Sequence, residues 1–200
     1  MKLDNGKWIR RKLQGLITAG REYRPFIVLS RSRTGSSLLI DGLGSHPGVV
    51  VRGEVFRRPR PIPDTLLLDM VWGRHGRATE AAGFKIFYYH PNGSHGDDLW
   101  NRIANTGNLH VIHLERRRLL PLVLSQVVAA RNKAYHNYGS AKVTDLDPFV
   151  VDIDEVLRDL ERVSHTRDRR LAQLSHHPIL TLDYSDLCSD ADREIGRASC

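Results

Sequence analysis

The chain lacks the residues on which several classes of protein depend. It has only two cysteines, Cys188 and Cys200, so there is no disulfide framework and no CxxC pair typical of a structural zinc site. No apolar run approaches the roughly 18 residues of a membrane-spanning helix. The basic N-terminus has neither a long apolar core nor a small-residue cleavage site, unlike a secretory signal. We therefore expect a cytoplasmic protein without stable membrane insertion.

What the sequence does have is the composition of one globular domain. Its 200 residues, 40% hydrophobic and 26% charged, suit a single domain with a sizeable core. A formal net charge of +7 points to an anionic partner. The arginines fall at junctions between predicted elements rather than in one basic stripe, and no aromatic-interleaved motif accompanies them. We therefore expect a nucleotide or an acidic substrate, and no nucleic-acid partner.

Apolar runs and helical patterns alternate along the chain. Near-continuous apolar runs predict buried strands at 26–30, 83–89, 109–115 and 178–184, with a weaker one at 48–51. Helical patterns lie at 36–44, 64–72, about 96–105, 117–135 and 152–176. Asp64 is a candidate N-cap of the second helix. The alternation predicts an α/β fold, a three-layer sandwich with a central parallel sheet, in which ligands bind beyond the carboxyl ends of the strands.

The first predicted strand runs into the loop RTGSS at 33–37, followed by a helical pattern. A glycine turn between a strand and a helix exposes backbone amides and a helix N-terminus, which together bind anions. Arg33 adds a planar charge suited to phosphate or sulfate, and Ser36 and Ser37 add hydroxyl donors. The lysine of the nucleoside-triphosphatase loop GxxxxGK[ST] is absent, as is an obvious magnesium-holding partner. The alternative interpretation is a helix start capped by serine.

A second basic element is IHLERRRLLPLVLSQVVAAR at 112–131. Arg117 and Ser125 are eight residues apart, so both can lie on one face if the helix begins near Arg117. Three arginines at a helix start face the positive end of the helix dipole, where carboxylates are preferred. The cluster therefore favours an anionic ligand over the alternative of a solvated basic surface.

The two elements together resemble the sulfotransferases that use 3′-phosphoadenosine 5′-phosphosulfate. In their first motif Arg33 stands in place of the commoner lysine, and the loop residues Thr34, Gly35, Ser36 and Ser37 follow it. RTGSSLL, the later HP and GE, and RR-x-L-x(5)-S are similar to the bacterial carbohydrate and glycolipid type. The resemblance covers about 26–187. It implies a P-loop-like fold, the phosphosulfate as co-substrate, a 3′-phosphate held by Arg117 and Ser125, and neither metal nor ATP.

Catalytic roles follow from the resemblance and from residue chemistry. Arg33 is expected to stabilise the leaving phosphate, and Glu54, in the matching G-E-x-F segment, is expected to be the base. The alternative for Glu54 is a surface carboxylate paired with a neighbouring arginine. His90, at the end of the strand GFKIFYYH, is the second candidate base. Lys85 in that strand could approach the substrate, although a lysine extending from a sheet edge is the expected case.

The C-terminal region carries two further expectations. Tyr184, in a segment similar to the family's Tyr-acid-Asp-Leu, is expected to contact adenine, with core packing as the alternative. The ending EIGRASC at 194–200 resembles a translated sequencing-adapter fragment rather than a genuine polar tail. We expect a single sulfotransferase domain over 1–193 that lacks its C-terminal part, including the family's later glycine-containing loop. Weak cofactor binding and impaired turnover would follow.

Three functions remain open from the sequence. The first is sulfuryl transfer to a hydroxyl of a carbohydrate or glycolipid acceptor. The second is a P-loop-type nucleotide kinase or phosphotransferase, and the third is a nucleic-acid-binding domain. Acceptor contacts are expected from 57–82 and 132–150, where no motif identifies the acceptor. No sequence pattern indicates an oligomeric state.

Overall fold

The computed structural model describes residues 22–58, 61–91, 96–131 and 150–199. Strands and helices alternate through these residues, as the sequence pattern predicts. The elements are β1 (Arg24–Ser30), α1 (Ser36–Ser45), β2 (Val49–Glu54), α2 (Asp64–Val71), β3 (Ala81–Phe87), α3 (Gly96–Ala104), β4 (His110–Glu115), α4 (Leu119–Arg131), α5 (Ile153–Gln173), β5 (Ile179–Asp183), α6 (Tyr184–Ser189) and α7 (Ala191–Ser199).

All five strands pair in parallel, in the order β2-β3-β1-β4-β5. β1 is central, with Val28 opposite both Lys85 of β3 and Ile112 of β4. Parallel strands need crossover helices, and these helices cover both faces of the sheet. The expected α/β sandwich with three layers and a central parallel sheet is confirmed.

Each face of the sheet has its own apolar core. On one face Ile27 and Leu29 pack with the buried side chains of α2 and α3, including the fully buried Trp100. On the other, Phe26 and Val28 pack with apolar residues of α1 and α7. Burial of each such side chain stabilises the fold by about 1.5–3 kcal/mol. A strand buried on both faces is apolar throughout, which explains the runs in the sequence.

Three helix starts show where the sequence pattern was imprecise. Asp64 is the first residue of α2 and does not cap it, because Pro63 holds the cap position and no side chain caps the helix. Asp152 does cap α5, where its Oδ1 accepts from the amides of Asp154 and Glu155 at 2.9 and 3.2 Å. α4 begins at Leu119 rather than 117, and the predicted helical residues 132–135 lie outside the described residues.

No helix among the described residues has the length and apolarity needed to span a bilayer.

The C-terminal segment forms helix α7, which packs on α1. A Cβ built on Gly42 of α1 would come within 2.3 Å of Ile195 Cδ1, so the two helices approach closely at that glycine. Glu194 is buried and pairs with Arg197 at 2.6 Å. Residues 191–199 therefore have a place in the described fold. The suspected adapter origin of 194–200 stays a prediction, which resequencing the 3′ end of the gene would test.

Candidate functional site

The loop between β1 and α1 lies at the carboxyl edge of the sheet, beside the central strand. Arg33 and Gly35 both adopt positive φ angles, 67° and 74°, which turn the chain sharply into α1. Gly35 provides no side-chain cap, and the first turn contains no acidic residue. The amide of Leu39 bonds to the carbonyl of Gly35 at 3.3 Å, so the amides that precede Leu39 open toward the rim. An uncapped helix N-terminus of this kind attracts anions.

The loop's conformation depends on Thr34 and Gly35. The buried Thr34 hydroxyl donates to the carbonyl of Arg31 at 2.7 Å, so this side chain shapes the loop and leaves its amide for a ligand. Gly35 is needed for two reasons. A side chain there would be strained at positive φ, and a Cβ would lie only 3.0 Å from the ring of Tyr184. Ser36 is buried, whereas Ser37 is partly exposed on the rim.

A charged chain of contacts joins β2, β3 and this helix start. Lys85 Nζ lies 3.2 Å from Glu54 Oε1 and 3.5 Å from the Ser37 hydroxyl oxygen, to which it donates. The side chain of Glu54 is 14% exposed. Arg57 Nε lies 3.8 Å from its second carboxylate oxygen. A carboxylate, an ammonium group and a hydroxyl are thus placed together beside the anion-attracting amides of α1.

A β-bulge at the end of β2 creates the contact between Glu54 and Lys85. Arg52 is opposite Phe84, but Glu54, two residues later, is opposite the next residue of β3, Lys85. The extra residue in β2 is Gly53, and an insertion of this kind reverses the direction of the side chains that follow it. Without the bulge Glu54 would be opposite Ile86. The bulge therefore places the predicted base next to a buried cation.

Lys85 corrects one expectation from the sequence. We expected its side chain to extend from a sheet edge, but β3 lies inside the sheet between β2 and β1. The residue is only 5% exposed, and its ammonium group also lies 5.4 Å from the centre of the Phe87 ring. Its position against Ser37 makes Lys85 a candidate for the role of the lysine that the loop itself lacks.

The other side of the loop faces α4 and α6. Arg33 Nε donates to the hydroxyl of Ser125 at 3.1 Å, whereas the sequence predicted that Ser125 shares its ligand with Arg117. Arg116 Nη1 donates to the carbonyl of Arg33 at 3.4 Å, and its guanidinium carbon lies 4.5 Å above the ring of Tyr184. Tyr184 in turn packs on Gly35. Two arginines, a serine and an aromatic ring therefore surround the loop on this side.

Arg117 lies before α4 rather than in it, and its contacts are with carboxylates. Its Nε is 3.6 Å from Glu115 Oε1 and 3.4 Å from Asp183 Oδ2, and its side chain is 76% exposed. Burial would raise the pKa of Asp183, but hydrogen bonds from Ser185 and the charge of Arg117 outweigh burial and lower it. Ser125 therefore contacts Arg33, whereas Arg117 forms its ion pair with Asp183 at the end of β5.

The second candidate base, His90, is a buried residue with a structural contact. It is 2% exposed, and its Nδ1 accepts from the amide of Phe87 at 3.3 Å. Burial lowers the pKa of His90 to about 4, against the opposing charge of Glu54. A neutral imidazole that accepts at Nδ1 carries its proton on Nε2, so it has no free lone pair for a substrate hydroxyl. The geometry favours Glu54 over His90 as the base.

Three further histidines also have structural partners. His113 Nε2 lies 2.8 Å from the Tyr88 hydroxyl, and burial lowers the pKa of His113. His176 and His177 both contact the carbonyl of Ala104 through Nε2 at 2.8 Å. Within the described ranges, no group of three or more histidine, cysteine, aspartate or glutamate side chains could hold a metal ion.

Sequence reasoning gave no role to Arg116 or Arg31, and it expected Lys85 to extend from a sheet edge, with an approach to the substrate as the alternative. Lys85 was visible as the lone charge in an apolar strand, and Arg116 as the neighbour of the predicted Arg117. Arg31 gave no signal, because a charge next to a loop is expected to be solvated.

No protein-family model matches the chain, and no curated protein matches it significantly.

Proposed function

We propose that the chain is a sulfotransferase domain that moves a sulfuryl group from 3′-phosphoadenosine 5′-phosphosulfate to a hydroxyl of a carbohydrate or glycolipid, in the cytoplasm. The observation that carries the proposal is the contact chain Glu54–Lys85–Ser37 beside the uncapped start of α1. It sets a base and a buried cation against an anion-binding helix N-terminus, which is what in-line transfer of an anionic group to a hydroxyl requires.

The transfer step follows from these positions. The acceptor oxygen forms a bond to sulfur while the bond between sulfur and the bridging phosphate oxygen breaks. The acceptor proton passes to Glu54, and the products are a sulfate ester and 3′-phosphoadenosine 5′-phosphate. We assign Lys85 and the loop amides to the negative charge of the transferred group, and Arg33 to the leaving phosphate. By analogy with phosphoryl transfer, placement and positive charge supply most of the acceleration.

The nucleotide would lie across the loop toward α4 and α6. Arg117 and Ser125 are the proposed ligands of the 3′-phosphate, and Arg116 is close enough to the loop to share that charge. Tyr184 offers an aromatic face for adenine, although Arg116 now covers part of its ring. The hydroxyl of Ser30, fully buried where the loop begins, has no hydrogen-bond partner among the described residues. This unused donor fits an anionic ligand at the loop.

Nucleotide binding by the full chain tests the proposal. Calorimetric titrations with 3′-phosphoadenosine 5′-phosphate and with ATP, each with and without magnesium, should show binding of the first without magnesium. Arg33→Ala, Arg116→Ala and Arg117→Ala should each weaken that binding by about tenfold, the worth of one charged hydrogen bond. Arg74→Ala, which removes an exposed arginine after α2, is the matched control and should change nothing.

Two results would overturn the proposal. Binding of ATP alone, and only with magnesium, would identify a phosphotransferase. Steeply salt-dependent binding of unrelated oligonucleotides, without preference for either nucleotide, would identify a nucleic-acid-binding domain.

A further inference from the structure

Arg31 differs from the other buried charged residues of the described structure in forming no ion pair. It is 5% exposed at the end of the central strand β1. The other lysine, arginine, aspartate and glutamate residues that are buried in the described ranges form ion pairs: Lys85 with Glu54 at 3.2 Å, Arg170 with Asp97 at 4.0 Å, Asp183 with Arg117 at 3.4 Å, and Glu194 with Arg197 at 2.6 Å.

The hydrogen bonds of Arg31 do not compensate for this. Its Nη2 donates to the neutral amide oxygen of Gln126 at 2.7 Å, and its Nε has no hydrogen-bond partner in the described ranges. Burial lowers the pKa of Arg31, against the smaller opposing effects of Tyr89 and Asp159, yet an arginine stays charged in a protein. A buried charge without a counter-ion is strongly unfavourable, so the guanidinium is suited to an anion that arrives with a ligand.

The neighbours of Arg31 connect it to the proposed base. Arg31 follows the last residue of β1 directly, so it lies at the carboxyl edge of the parallel sheet, where β2 ends at Glu54 and β3 ends just before Tyr89. Tyr89 is an exposed ring just after β3, and the charges of Arg31 and Glu54 both act on its hydroxyl. Its ring centre lies 5.5 Å from that of Phe87, and the Phe87 ring lies 5.4 Å from the ammonium group of Lys85, the partner of Glu54. A molecule whose hydroxyl meets Glu54 could therefore extend over Tyr89 toward Arg31. An exposed aromatic ring near a carboxylate and a guanidinium suits a sugar ring that carries an acid group.

We propose that Arg31 binds an anionic group, a carboxylate or a phosphate, on the substrate that supplies the acceptor hydroxyl. The acceptor is then an acidic hydroxyl compound, such as an acidic or phosphorylated sugar, rather than a neutral one. This assignment rests on the proposed function, since only a transferase has an acceptor. The anion site itself is a property of Arg31 that can be measured without turnover.

The test uses the full chain saturated with 3′-phosphoadenosine 5′-phosphate and three probes that share a pyranose ring. Glucuronate carries a carboxylate, glucose 6-phosphate carries a phosphate, and glucose carries no charge. Affinities are measured by NMR through the Nε–Hε signal of Arg31, which is assigned by its loss in Arg31→Met. We expect that signal to move, and at least one charged probe to bind about tenfold or more tightly than glucose. Comparison of the two charged probes distinguishes a carboxylate from a phosphate ligand.

Two variants separate a binding role from a structural one. Arg31→Met should lose the preference for charged probes and should raise the unfolding temperature of the ligand-free chain, because it removes a buried charge without a counter-ion. Arg74→Gln removes an exposed charge after α2 and should leave the preference unchanged. The inference is overturned if charged and neutral probes bind equally, or if Arg31→Met unfolds at a lower temperature than the parent.

The inference and the proposed function fail in different ways. If 3′-phosphoadenosine 5′-phosphate does not bind, the proposed function is overturned. The probes are then titrated alone, and an Arg31-dependent preference for charge still supports the anion site. If the nucleotide binds and the three probes behave alike, the proposed function stands and the acidic acceptor is overturned.

Discussion

Lys85, in β3, and Arg31, just after β1, are two cations buried to the same extent. Both are 5% exposed, and both lie toward the carboxyl edge near the loop. Lys85 has a carboxylate at 3.2 Å, whereas the partner of Arg31 in the described part of the chain is the neutral amide oxygen of Gln126. Among the described residues, the first charge is therefore compensated by an ion pair and the second is not. Equal burial should therefore have opposite consequences for stability. Removal of Lys85 leaves the carboxylate of Glu54 without its ion-pair partner, whereas removal of Arg31 eliminates a buried charge that forms no ion pair.

The largest expected effect concerns the carboxylate that compensates Lys85. Glu54→Gln keeps the shape of the side chain, but its neutral amide cannot take the proton from the hydroxyl of the substrate. It should lower turnover of the phosphosulfate by about a hundredfold or more, the usual contribution of a general base, while nucleotide affinity changes less than about twofold. The measurement is steady-state release of 3′-phosphoadenosine 5′-phosphate together with calorimetry.

The control for this prediction is Glu80→Gln, an exposed carboxylate just before β3 at the other edge of the sheet. It should match the parent in both assays. Turnover in Glu54→Gln equal to that of the parent would remove Glu54 as the base.

The comparison itself is tested by stability. Lys85→Met leaves Glu54 near the apolar interior without its cation, so the free energy of unfolding should fall by about 2 kcal/mol. A fully buried pair would lose more, but Glu54 retains 14% exposure and the second cation Arg57. Chemical denaturation monitored by circular dichroism measures the change.

A double variant makes this test specific to the pair. Lys85→Met combined with Glu54→Gln removes both charges and should recover most of the lost stability, as a coupled pair does in a double-mutant cycle. Arg31→Met, with no carboxylate to expose, should change stability in the opposite direction. Equal losses from Lys85→Met and Arg31→Met would break the comparison between the two cations.

The smallest expected effect is the pH dependence conferred by His90. Its folded pKa of about 4 lies below its unfolded value near 6.5, so the unfolded chain binds more protons between these values. Stability that is fully present above pH 6.5 is therefore lost as the pH falls toward 4. We expect the free energy of unfolding to fall by roughly 1–2 kcal/mol between pH 6.5 and 5.

His90→Asn supplies the matched comparison, because its side-chain oxygen can still accept from the Phe87 amide. The variant should show a flatter pH dependence, with the residual slope coming from His113, whose pKa is also lowered by burial. Turnover should persist if Glu54 is the base. An unchanged slope would show that the His90 ring titrates normally, and a loss of turnover comparable to that of Glu54→Gln would restore His90 as the base.

Much of the architecture was readable from local pattern. Strands buried on two faces are largely apolar, so their positions can be predicted from apolar runs. The predicted ends of four strands lie within about two residues of the ends in the structure: β1, β3, β4 and β5. The β-bulge was not, because Gly53 occurs in an ordinary strand pattern and only pairing with β3 shows the register shift. Arg117 and Ser125 were joined by spacing, yet the helix begins after Arg117, and Ser125 contacts Arg33 instead.

The sequence by itself determined the α/β alternation, the loop after β1 and the chemical character of its residues, because these depend on neighbours along the chain. Only the tertiary structure decided which charges meet. Lys85 and Glu54 are 31 positions apart and become partners through a bulge, while Arg31 is left with a neutral neighbour. Pairing of charges depends on strand order, register and burial, and none of these is a property of any single segment.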